Sequence, residues 1–285
     1  MRSYWFGDED DHGCTRAGGD PDTLARRVSS LRAGPGDIVP PDWRHARECG
    51  AVKDREEYLS KLREVCIRLA REQVASSLSG EDTELMEMVM LLDGMDRAVN
   101  QLGEHLSCWY RVRHPGEGWK YRPRDSRRVL ARIGEDAGGP LKDALGGVLA
   151  LREARALLAR EIGERSARVL PNCSAIVGGL VAARIMALAG GLPDLARLPA
   201  SSLQVLGARG ALFSHLTGGT PSPKHGIIYQ HLRVHNAPRG VRGKVARALA
   251  GRLAIAARID RYRGTLDPEF IARSDRMIEA AGGRR

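Results

Sequence analysis

Apolar residues recur at helical spacing through most of the chain. From Glu81 to Tyr110, the residues Leu85, Met88, Leu92, Met95, Val99, Leu102, Leu106 and Trp109 follow one another at alternating steps of three and four. That alternation predicts a coiled-coil seam on a helix roughly 45 Å long. A second long helix is predicted from about Leu141 to Val169, with Leu141, Leu145, Val148, Leu151, Leu158 and Ile162 on a looser stripe. The segment 113–128 between them holds two prolines, two glycines and six basic residues, and reads as a loop. Two long helices so joined make an antiparallel hairpin. Its seam needs a partner, and a second copy of the hairpin supplies one, giving a homodimer.

Before the hairpin, residues 1–50 are broken by Gly34-Pro35-Gly36 and Pro40-Pro41 and read as short irregular pieces. A helix opens at Asp54, with acids in its first turn and Tyr58, Leu62, Val65 and Leu69 at helical spacing. After the hairpin, Pro171-Asn172 starts a new element. Ile176, Val177, Leu180, Val181, Ile185 and Leu188 alternate with Gly and Ala, as in a closely packed buried helix that Gly190-Gly191 closes. Ala211–Leu216 reads as a short helix and Gly226–Gln230 as a short extended piece. The last strong helix runs from about Val241 to Arg261. The expected organisation is mainly α: a short amino-terminal segment (1–50), a hairpin (51–170), a compact helical domain (171–264) and a tail (265–285).

Charge changes this picture. The 285 residues carry a net +10, and twelve of the Lys and Arg residues lie between Arg197 and Gly264 with one acid, Asp260, among them. A segment that must fold against such self-repulsion points to a polyanionic partner, most commonly a phosphate backbone. On a helical wheel, Val241, Val245, Leu249, Leu253 and Ile259 share an apolar arc. Lys244, Arg247, Arg258 and Arg261 fall on the opposite side with Gly251 between them. Arg242, Arg252 and Arg263 lie toward the apolar arc, where they snorkel or pair internally. Ahead of this helix, Lys224, His225, Gln230, His231, His235 and Arg239 form a basic, His-rich loop region. No Cys or carboxylate lies among these histidines and their spacing fits no zinc pattern, so a metal is not expected. Neutral histidines of this kind suit unpaired RNA bases.

Catalytic inventories fail. Gly240-Val241-Arg242-Gly243-Lys244-Val245 lacks the loop length and the Ser/Thr of a phosphate-binding loop, and neither a nucleophile elbow nor a zinc-protease motif occurs. Asp260 reads as an intrahelical partner for a nearby arginine. The chain is expected to be non-catalytic and to need no cofactor. No run approaches the ~18 apolar residues of a membrane span, so no membrane partner is expected. The start lacks the basic and apolar segments of a signal peptide. The five cysteines, at 14, 49, 66, 108 and 173, are odd in number with no C-x-x-C, and read as reduced thiols of a cytoplasmic protein.

The run PNCSAIVGGLVAARIMALAGGLPDLARLPASSLQVLGARGALFSHLTGGTPSPKHGIIYQH, continued by HNAPRGVRGKVARALAGRLAIAARID, resembles the signature of the Nop domain. DREEYLSKLREV and LDGMDRAVNQLGEHLSCWY are similar to the coiled-coil helices of the same family, the scaffold proteins of box C/D guide RNPs, with archaeal forms the nearest in pattern. The likeness covers roughly 54–264. It implies a scaffold in which the hairpin self-associates and the Nop domain binds kink-turn RNA together with a small kink-turn-binding protein of ribosomal type. An amino-terminal domain holds fibrillarin, the methyltransferase that modifies RNA 2′-hydroxyls at guide-selected sites. Lys224, His225, Gln230 and His231 match the family's PKHG and QH positions, and Arg242, Gly243 and Lys244 its RGK. The family's GAEKALF stands here as Gly207–Phe213, with Arg209 and Gly210 in place of the acid and the lysine, and Gly240 replaces a frequent tryptophan. Only about fifty residues precede the coiled coil, where the family carries a substantial α/β domain. Tyr4-Trp5-Phe6-Gly7-Asp8 and the acidic run 8–11 stand as a reduced docking element. An RNA-binding module without a methyltransferase partner, like the spliceosomal relative, stays open beside the scaffold.

Overall fold

A computed structural model describes residues 2–33, 42–115, 126–136 and 138–283. By its internal contacts the chain divides into two compact units, Met1–Gly80 and Glu81–Arg285. Most of the predicted loop 113–128 lies outside the described residues.

In the first unit, β1 (Arg2–Tyr4), β2 (Gly7–Asp10) and β3 (Gly13–Arg16) form an antiparallel meander in sequence order, with Tyr4 opposite Gly7 and Asp10 opposite Gly13. A Cβ at Gly7 would collide with the Thr15 carbonyl, so only glycine allows β2 and β3 to approach there. Helices α1 (Pro21–Ala33), α2 (Trp43–Glu48) and α3 (Arg55–Leu78) complete the unit. Tyr4, Trp5, Phe6, Leu24, Tyr58 and Val65 are buried together, and the Trp5 indole donates to the Tyr58 hydroxyl at 3.3 Å. Asp54 caps α3 by accepting from the Glu57 amide at 2.8 Å, and Glu57 accepts from the Lys53 amide at 2.7 Å.

Three expectations are corrected here. Residues 1–50 are not merely irregular: strands of three or four residues fall below the length at which alternation shows. Tyr4, Trp5 and Phe6 make the core rather than a surface, and Asp8 is spent on Arg27 and Ser3. Cys14 and Cys49 are not free thiols but a disulfide, joining β3 to the residue that ends α2 across 35 positions. A ring of that size is worth roughly 3–4 kcal/mol in the chain-entropy account. The core that brings the two sulfurs together is long-range, and spacing does not encode it. Cys66, Cys108 and Cys173 are free.

In the second unit, α4 (Glu81–Arg113) packs along α6 (Pro140–Val169), with α5 (Ser126–Asp136) against both. The face of α4 turned inward carries Leu85, Val89, Leu92, Val99, Gly103, Leu106 and Tyr110. The seam expected from sequence is thus split. Leu85, Leu92, Val99 and Leu106 are buried, Met88 and Met95 are half-buried, and Leu102 and Trp109 are exposed. Apolar residues cover more than one line of this helix, and an alternation of three and four is satisfied along each line and across two. Midway, a salt bridge replaces the apolar layer: the Arg155 guanidinium donates to both Asp96 carboxylate oxygens at 2.8 and 3.1 Å.

Beyond the hairpin come α7 (Pro171–Val177), α8 (Gly179–Ala189), α9 (Leu192–Arg197), α10 (Ala200–Val205), α11 (Arg209–Gly218), a 3-10 turn at Ile227–Gln230 where an extended piece was expected, α12 (Leu232–His235), α13 (Arg242–Tyr262) and α14 (Pro268–Gly282). The chain breaks between α7 and α8 at Gly178, whose φ of 84° suits glycine, and a Cβ on Gly179 would collide with the Gly163 carbonyl of α6. No single helix among the described residues is long and apolar enough to cross a membrane. Helix α13 is central, burying Val245, Ala246, Leu249, Ala250, Leu253, Ala254, Ala256 and Ala257. The supposed tail carries α14, which packs on α13 through Phe270 and Ile278.

Asp260 is not the intrahelical partner expected. Its carboxylate, 3% exposed, accepts from the Asn172 and Cys173 amides, both at 2.9 Å, and from the Asn172 side chain at 2.7 Å. It caps the first turn of α7 from 88 positions away, a distance no helical pattern reports.

Candidate RNA interface

Four cations meet at the amino-terminal end of α13. The Pro238 carbonyl accepts from the Val241 and Arg242 amides at 3.0 and 2.9 Å, forming the turn that starts the helix. Arg239 projects from this turn, and Lys244 and Arg247 from the first helical turns. Lys224 comes from the preceding loop, which is tied to α10: the Gln204 amide donates to the Lys224 carbonyl, and Gly226 N–H to the Gln204 carbonyl, each at 2.8 Å. A side chain at Gly226 would collide with the Leu206 carbonyl, so the residue after His225 must be glycine for the loop to lie this close. Together Lys224, Arg239, Lys244 and Arg247 line an open groove of about 460 Å³, with Ser201 and Gln204 among the remaining lining residues and no acid. Val241 offers no side-chain cap, so the positive end of the helix dipole adds to the groove.

None of the four cations has an acid within 4 Å among the described residues, whereas Arg197, Arg233 and Arg263 pair with Asp194, Asp275 and Asp267. The other expected contact residues are placed differently. The Arg242 guanidinium donates to the His235 and Ala237 carbonyls at 3.0–3.2 Å and lies 5.4 Å over the Tyr229 ring, so it braces the loop. Arg258 Nε donates to the Ala196 carbonyl at 3.2 Å, tying α13 to α9. The Gln230 carbonyl oxygen accepts from Arg184 at 3.0 Å, and Arg184 also reaches Asp93 and Asp96. Arg209 is exposed at the start of α11, apart from the groove lining. His225 stacks on Tyr229 at 4.6 Å, and Tyr229 contacts His235 at 5.0 Å.

Burial, aided by Arg242 and Lys224, lowers the His225 pKa, and burial, aided by Arg233, lowers that of His231. Both are neutral at pH 7, and His231 Nδ1 is buried with no hydrogen-bond partner among the described residues. Sequence reasoning missed the polar floor from Ser201 and Gln204 and the character of α11. That helix buries no residue and leaves Phe213 and Leu216 at 68% and 75% exposure. The sequence predicts a short helix over Ala211–Leu216 but does not tell which of its sides faces solvent.

The groove and its loops fall within residues 131–280, which match the family described as "Nop: snoRNA binding domain, fibrillarin". The chain belongs to the Nop family. An uncharacterized NOP5 family protein of Methanocaldococcus jannaschii is 30% identical over 269 residues, covering 82% of this chain and 65% of the relative. Nucleolar protein 58 of Schizosaccharomyces pombe is 31% identical over 228 residues, covering 67% of this chain and 45% of the relative. The chain therefore spans less than two thirds of the length of these curated relatives. A crystal structure of a fibrillarin/Nop5p complex contains a chain that matches with a TM-score of 0.52 and 28% identity, over 97% of this Nop-family chain and 98% of that one.

Proposed function

We propose that this Nop-family protein is a non-catalytic scaffold of a box C/D guide RNP that brings a fibrillarin methyltransferase to guide-selected RNA 2′-hydroxyls. The observation that carries the reading is the groove: Lys224, Arg239, Lys244 and Arg247 converge at a helix amino terminus without an acidic partner. Such a site accepts the sugar–phosphate backbone of a folded RNA, here kink-turn RNA. Helix α11, which follows the groove's α10 in the chain and leaves Phe213 and Leu216 bare, is an apolar surface suited to the small kink-turn-binding protein of ribosomal type. Protein and RNA would then be held side by side.

Two further assignments belong to the same reading. The amino-terminal unit, with its own core and disulfide, is the part we assign to fibrillarin, a role supported by the matched chain of the fibrillarin/Nop5p structure. The retention of a folded amino-terminal unit favours the scaffold over a plain RNA-binding module. For self-association we assign the outer line of α4, where Leu91, Leu102, Trp109 and Val112 are exposed. These lie at steps of eleven, seven and three, on one side of the helix.

Reconstitution of guide-directed methylation tests the reading. The purified chain, a guide RNA, a kink-turn-binding protein and fibrillarin should together methylate a matched target, and K244E/R247E should stop assembly while the chain keeps its helical spectrum. Methylation by the isolated chain would overturn the non-catalytic assignment. Full assembly of K244E/R247E would overturn the groove.

A further inference from the structure

The exposed side of α13 does not end at the groove. At 100° per residue, Tyr262 lies eighteen positions and five whole turns beyond Lys244, on the same line of the helix and about 27 Å along it. Arg247, Gly251, Ile255 and Arg258 fall close to that line. Arg247 and Arg258 are exposed and Ile255 is 37% exposed, so the strip is open along its length. Asp260, the one acid of the helix, is buried and committed to α7. The strip therefore carries positive charge with no exposed carboxylate of its own.

At its far end stands an aromatic ring with little to pack on. Tyr262 is 78% exposed and lies between exposed Arg261 and Arg263. The backbone beneath it is held firmly. The Ile259 carbonyl accepts from the Arg263 and Gly264 amides at 2.8 and 3.1 Å, and Gly264 has a φ of 68°. Buried Asn172 donates to the Thr265 carbonyl and accepts from the Asp267 amide, both at 2.8 Å. A ring on a fixed mount loses little freedom when a planar ligand settles on it. Paired bases hide their faces in a stack, whereas unpaired bases offer them.

We propose that the α13 strip is a track for single-stranded RNA, running from the groove to Tyr262, which stacks an unpaired base. Arg261, and Arg258 through the guanidinium nitrogens that its bond to the Ala196 carbonyl leaves open, neutralise phosphates along the way. The track rests on the groove reading but extends it to a second contact, with a different chemistry, at the other end of the helix. A folded kink-turn held in the groove then has a place for a single strand leaving it.

The test measures fluorescence anisotropy of a labelled uridine strand of about twelve nucleotides with the full chain and its variants. Y262A should lose roughly five- to a hundredfold in affinity, the range expected for one base–aromatic stack, and Y262F should retain it. Thermal midpoints of both should match the parent. Unchanged affinity in Y262A, no binding by the parent chain, or an equal loss on a fully paired duplex would each overturn the track. K244E separates the two readings: if it leaves kink-turn assembly intact the groove has failed, whereas intact Y262A binding with defective K244E sinks the track alone.

Discussion

Two sets of cations in this protein have opposite fates. Arg155 and Arg184 sit where α4, α6 and α8 meet, and both guanidinium groups are spent on Asp96, with Asp93 taking a further bond from Arg184. Lys224, Arg239, Lys244 and Arg247 line one groove, and none has an acid within 4 Å among the described residues. The first set is part of the fold's own accounting and should matter to stability. The second set repels itself and should matter only to a partner. A basic total of +10 conceals this difference, which is visible only when each cation is followed to what it touches.

The comparison can be broken most severely at Asp96. The Arg155 bond, then burial opposing it, leaves its carboxyl below the usual carboxylate range. Asp96→Ala should cost roughly 2–3 kcal/mol in urea unfolding, below the figure for a fully buried pair because the group is about a third exposed, and should leave RNA affinity unchanged at saturating folded protein. The opposite pattern is expected in the groove. K244E/R247E should weaken kink-turn RNP assembly at least about tenfold and reduce the slope of log K against log salt by roughly two contacts' worth, with the thermal midpoint unchanged or raised. A midpoint lowered as far as that of Asp96→Ala would erase the distinction.

Helix α4 offers a parallel contrast between an inner and an outer line. Polar substitution at Leu92 should unfold the hairpin, since Leu92 is fully buried. Leu102→Glu with Trp109→Glu should leave a folded monomer by light scattering, and a dimer surviving both changes would move self-association elsewhere. The smallest effect is in pH. His225 and His231 titrate below their ordinary range in the folded chain, so the unfolded chain binds more protons near pH 6. Their contribution to stability is whole above about pH 6.5 and is lost as the pH falls through the lowered folded values. The thermal midpoint should decline from pH 7 to pH 5.5, and His231→Gln should flatten that decline.

What was legible in the sequence followed local periodicity. The opening of α3 at Asp54, the long α4, the bend at Pro171 and the exposed side of α13 all repeat within a few residues and were read correctly. Lys224, Arg239, Lys244 and Arg247 were visible as a basic cluster and do meet. The wheel turns Arg242 toward the apolar arc while the RGK motif offers it to RNA; in the structure it is half-buried and braces the His235 and Ala237 carbonyls. The illegible parts depend on residues far apart in the chain. Cys49, packed against a core drawn from Tyr4, Leu24 and Tyr58, meets Cys14 across 35 positions, and Gln230 meets Arg184 across 46. Strand alternation in β1–β3 is too brief to register.

One carboxylate has a wider consequence than its size suggests. Asp260 and Asn172 lock the beginning of α7, the end of α13 and the approach to α14 in a single knot. The carboxy-terminal helix therefore starts from a fixed point: a premature stop ahead of Thr265 would take away two partners of the knot together with buried Phe270 and Ile278, and the domain should lose stability as a unit rather than fray from its end.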